Sequence, residues 1–90
     1  MTQKAVVIAG NIWRVKWYRR HWEDGTDGVC LGAPRREIRV YKTGDTWADT
    51  NTLVHELLHA TAEELGLEET EDQVEIRATV ITEMLRWGGV

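Results

Sequence analysis

Residues 55 to 59 read His-Glu-Leu-Leu-His, inside a stretch whose apolar residues recur at helical spacing. Few patterns restrict a small chain so tightly. On an α-helix, positions i and i+4 lie one turn apart on the same face. His55 and His59 can therefore turn both rings toward one metal ion, while Glu56, beside the first of them, can reach a water held there. Zinc, the ion this donor set suits, lowers the pKa of bound water to about 7, and a neighbouring carboxylate can take the proton as the hydroxide attacks an amide carbonyl. From the composition of this chain, His-Glu-x-x-His arises by chance about 1% of the time, before a helix is required of it.

Ninety residues suit one small domain spanning 1–90, with little room for a second core, so a bound metal would add useful stability. No apolar run approaches membrane-spanning length, and the start of the chain lacks a secretory h-region. The single cysteine, Cys30, excludes an internal disulfide and fits a reducing compartment, so a cytoplasmic protein is expected. Charge is divided unevenly: residues 1–45 hold nine Lys/Arg against five Asp/Glu, whereas residues 46–90 hold two against ten. The basic half could contact nucleic acid, but the overall charge of −4 argues against general affinity for it. Such a run is more often the solvated face of strands.

The two halves also differ in period. Lys4 to Ala9 is rich in strand formers, and Ile12 to Arg19 alternates, with Trp13, Val15 and Trp17 on one face and Arg14, Lys16 and Tyr18 on the other. Gly10-Asn11 has the composition of a two-residue hairpin turn. After a polar loop beyond Trp22, Val29 to Leu31 reads as a brief strand closed by Gly32-Ala33-Pro34. Glu37 to Tyr41 alternates again with Ile38 and Val40 inward. Three or four antiparallel strands with one buried face are expected. Thr50 to Leu65 then reads as a helix, capped by Asp49, Thr50 or Thr52 and stopped by Gly66. Thr70 to Arg86 reads as a second, opened by the capping pattern Thr70 to Gln73 and ended by Gly88-Gly89. The short connection makes an antiparallel helix pair, and the fold class is α+β.

A catalytic zinc usually takes three protein ligands and leaves a fourth position open. His21 lies in a loop, so the nearer candidates are Glu63, Glu64, Glu68, Glu69, Glu71, Asp72 and Glu75. If the hairpin turns near residues 67 and 68 and both helices rest on one sheet, the residue level with His59 is about number 76. That favours Glu75 as third ligand. Glu71 would lie nearer the end of the first helix, as an alternative ligand or as a carboxylate holding a ligand histidine from behind.

Strands first, then an HExxH helix, then a glutamate in the next helix: in this order of elements the chain resembles the zincin metallopeptidases, and its glutamate points to their gluzincin branch. The run Leu-Val-His-Glu-Leu-Leu-His-Ala, residues 53–60, and the small size look like the minimal zincin-like proteins encoded by phages and prophages. The resemblance implies zinc on His55 and His59, Glu56 as general base, a peptide or protein substrate, and a peptide bound along an edge strand, here residues 37–42. A non-enzymatic alternative keeps the zinc for stability, with the basic strands contacting nucleic acid or an acidic partner. Glu56 separates the two, because a purely structural site needs no base.

Of the five tryptophans, Trp13 and Trp17 are expected in the core, while Trp22 and Trp47 lie near loops and could line a pocket or cover the sheet. Cys30, with no second cysteine or flanking histidine, is expected as a small buried residue rather than a ligand or reactive thiol. Tyr18, Tyr41, His21 and the arginines are unranked candidates to stabilise an oxyanion.

Overall fold

A computed structural model describes residues 2–19 and 26–88. Four strands, β1 (Thr2–Ile8), β2 (Asn11–Tyr18), β3 (Gly28–Leu31) and β4 (Glu37–Tyr41), precede two helices, α1 (Thr46–Leu65) and α2 (Glu71–Trp87). The class is α+β, with the strands in one sheet of order β1-β2-β4-β3. His21 and Trp22 lie outside the described residues.

β1 and β2 pair around Ala9-Gly10, with Ile8 opposite Asn11, one residue earlier than Gly10-Asn11 suggests. Both turn residues have positive φ, 50° at Ala9 and 83° at Gly10, the backbone that a tight hairpin of right-handed twist needs. Asn11 stays in the strand, where its amide donates to Glu64 Oε2 at 2.7 Å.

One pairing departs from an all-antiparallel sheet: β2 and β4 run parallel, with Val15 beside Ile38 and Trp17 beside Val40. The reason lies in burial. In β4 every residue except Arg39 is buried, so this strand takes an interior position, while the four-residue β3 takes the edge and pairs antiparallel with it. Residues 37–42 therefore do not form an edge; β3 does.

The faces are as alternation predicts. Trp13, Val15, Ile38, Val40 and Ala60 form the core, with Trp17, Cys30, Leu53 and Leu57 packed around it. On the opposite face, buried Glu37 accepts from Lys16 Nζ at 2.9 Å and from Arg39 Nε at 2.6 Å. Burial alone would raise its carboxyl, but the bonds from Lys16 and Arg39 outweigh that and hold it at about 2. Part of the basic charge of the strands is thus neutralised within the sheet.

α1 begins four residues before Thr50, because Asp45 is its cap and accepts from Trp47 N at 3.0 Å and Ala48 N at 3.1 Å. Asp49 is instead buried on the first turn, accepting from both the N–H and the hydroxyl of Thr43. Gly66, at φ 67°, ends the helix as expected. α2 opens on the Thr70–Gln73 capping box.

The helices do not share the sheet. α1 packs on it, and among the described elements α2 packs on α1 alone, burying Val74, Ala78 and Thr82. Arg86 lies over the Trp47 ring, and Glu71 and Glu75 lie against His59 and His55, so the pair is antiparallel. Glu71, rather than residue 76, is level with His59. Residues 67–70 are non-helical, and an extended chain advances about 3.3 Å per residue against about 1.5 Å in a helix, so it returns along α1 in fewer residues.

Candidate metal centre

The i, i+4 spacing on α1 brings His55 and His59 together with their rings edge to face, centroids 4.8 Å apart. Their Nε2 atoms are 3.1 Å apart, and Glu71 reaches both: Oε1 is 2.5 Å from His55 Nε2, and Oε2 is 3.1 Å from His59 Nε2. A tetrahedral zinc with bonds of 2.0–2.1 Å has ligand atoms about 3.3 Å apart, so this triangle is close to one face of that tetrahedron. The three residues form a group whose ligand atoms all lie within 4.8 Å of one another.

Glu75 occupies a different place. Its Oε2 lies 2.9 Å from His55 Nδ1, the nitrogen turned away from the cluster. A carboxylate there favours the tautomer protonated on Nδ1, which leaves the Nε2 lone pair for a metal. The donor set, two imidazoles and a carboxylate with a second carboxylate behind one ring, is the chemistry zinc takes. Partial burial pushes the Glu71 carboxyl up, and its bonds to His59 and His55 more than reverse this, leaving it below the usual range.

Glu56, the residue after His55, lines a cavity that His55 also borders. It is 8% exposed and makes no hydrogen bond or ion pair among the described residues. Burial pushes its carboxyl up, His55 and His59 pull it part of the way back, and Glu71 adds to the rise. A carboxylate at a cavity wall, with no donor among the described residues and beside converging ligand atoms, calls for a chemical explanation.

Three of the other acidic candidates, Glu63, Glu64 and Glu69, are engaged elsewhere. Glu64 accepts from Trp13 Nε1 at 2.9 Å, Asn11 and Arg36, tying the end of α1 to the sheet. Those bonds, with burial opposing them, hold its carboxyl below the usual range. Glu63 accepts from Ala33 N at 3.1 Å, and Glu69 pairs with Arg77. Cys30 is half-buried, and burial first, then Glu56 and Glu63, pushes its thiol up to about 12. Such a thiol is neither a ready ligand nor a nucleophile. Tyr18 and Tyr41 pack together on the sheet face away from α1.

Beside His55 and Glu56 opens a cavity that the motif alone does not announce, lined also by Asp27, Thr43, Asn51 and Thr52. Helical spacing could have found Asn51 and Thr52, each four residues before His55 and Glu56. Asp27 and Thr43 come from loops brought in by sheet topology, which leaves no local signal. No helix among the described residues is long and apolar enough to cross a membrane. Comparison with protein-family models, with curated proteins and with solved structures finds no match for the chain.

Proposed function

We propose that this protein is a zinc-dependent hydrolase acting on peptide bonds, with His55, His59 and Glu71 as ligands and Glu56 as general base. The observation that carries the reading is Glu56: a largely buried residue whose carboxylate has no donor among the described residues, next to three ligand atoms converging on one point. Zinc held there would supply a positive charge that polarises a carbonyl and acidifies water to a pKa of about 7. Glu56 takes the proton of the attacking water and returns it to the leaving amine. Its place beside the ligand cluster suits both halves of that task. Glu75 holds the His55 ring in the right tautomer. An extended peptide could add to β3, whose outer edge is unpaired among the described residues and which packs beside α1.

A second reading has its own support. Among the described elements α2 has no packing partner but α1, and the cluster spans both helices, so a metal could serve only as their clasp. Contact with nucleic acid through the strands is the weaker form of that reading, because Glu37 already holds Lys16 and Arg39. Glu56→Gln separates hydrolase from clasp. The hydrolase reading expects a folded variant that retains zinc and loses at least about 10²-fold in peptide hydrolysis. Equal activity in wild type and variant would contradict the mechanism, and equal inactivity on a broad peptide library would favour the clasp.

A further inference from the structure

The cavity beside the ligand cluster encloses about 390 Å³. Gly28 shapes it: a Cβ there would stand 2.7 Å from Thr52 Cγ2 and 3.2 Å from Glu56 Cγ, so only glycine lets β3 close this tightly on α1. The lining is short of donors. Thr43 spends its hydroxyl proton on Asp49 at 2.8 Å, and Thr52 spends its own on the Ala48 carbonyl at 3.2 Å. Each hydroxyl can then only accept from an occupant. Glu56, Glu75 and Asp27, the last already engaged in an interaction of its own, add carboxylates, Asn51 adds an amide, and among the described residues neither a lysine, an arginine nor an apolar side chain larger than Ala48 lines the space. Glu56, nine-tenths buried and without a donor among the described residues, faces it.

An acidic side chain entering this cavity meets carboxylates, and an aliphatic one finds little to pack against. An ammonium or guanidinium group finds acceptors on several sides. The double charge of a bound zinc does not reverse this, since Glu71 would bind it, Glu56 lines the same cavity, and Glu75 stands behind His55. We infer that the cavity receives a lysine or arginine side chain of the substrate, next to the bond that is cut. This rests on the hydrolase reading above and adds the class of substrate to it.

The test uses zinc-loaded protein and a set of peptide hydroxamates identical except for one side chain: lysine, arginine, leucine or aspartate. Binding is measured by calorimetry at low and high salt. One charge-assisted bond in a partly buried site corresponds to about tenfold in affinity, so the lysine and arginine compounds should bind at least that much more tightly than the leucine compound, and aspartate least. The preference should shrink in high salt. Asn51→Lys, which puts a cation in the cavity, should cut it below about twofold while zinc stays bound. Equal or tighter binding of the leucine compound overturns the inference alone, as does failure of every hydroxamate to bind a protein that holds zinc. A protein that takes up no zinc in a separate titration overturns the hydrolase reading and this inference with it.

Discussion

Glu75 Oε2 stands 2.9 Å from His55 Nδ1, on the side of the ring opposite the nitrogen that meets Glu71. The two glutamates, one helical turn apart on α2, thus grip one imidazole from its two ends. Only Glu71 also reaches His59.

Removal of each should therefore have a different cost. Glu75→Ala should weaken zinc binding by about 10–100-fold, the usual loss for a group that orients a ligand. Glu71→Ala should cost more, because it removes a ligand atom itself. Competition against a chelator of known affinity measures both, and the reverse order would give the ligand role to Glu75.

What could be read along the chain, and what could not, follows from the range of the interactions. The α1 stop at Gly66 and the Thr70–Gln73 cap depend on residues within one turn of each other, and the structure has both. The inward faces of β2 and β4 follow from alternation. The parallel pairing of β2 with β4 and the edge position of β3 depend on contacts across the sheet, for which periodicity carries no signal. The level of Glu71 beside His59 hinged on how far residues 67–70 travel. A tight helical hairpin and an extended return differ there by several ångströms, enough to exchange the places expected of Glu71 and Glu75.

The first turn offers a test of the fold. Ala9 sits at φ 50°, where an L side chain other than Asn or Asp is unfavourable. Ala9→Asn creates Asn-Gly, the preferred pair for this turn, and should stabilise the protein by about 1 kcal/mol. For a chain of this size the melting temperature should rise by roughly 4–8 °C. An unchanged or lower value would mean that the turn is not the one described.

Acid should weaken the sheet through Glu37. Its carboxyl is held at about 2 in the fold against an ordinary value of 4.5, so the fold prefers the charged form. That contribution is complete above the ordinary value and is lost as pH falls toward 2. Thermal unfolding of wild type and Glu37→Gln from about pH 7 down to about pH 2 reads it directly. Wild type should be the more stable near neutrality, with the gap closing in acid. A gap independent of pH would mean that the charge of Glu37 does not matter.

Everything proposed for the centre depends on His55, His59 and Glu71 holding a metal. The most direct measurement is elemental analysis of protein purified without an affinity tag or added metal, beside His55→Ala prepared in the same way. About one zinc per chain in wild type, and none in the variant, is the predicted result. Absence of stoichiometric zinc in wild type, with no rise in melting temperature when zinc is added, would contradict the account.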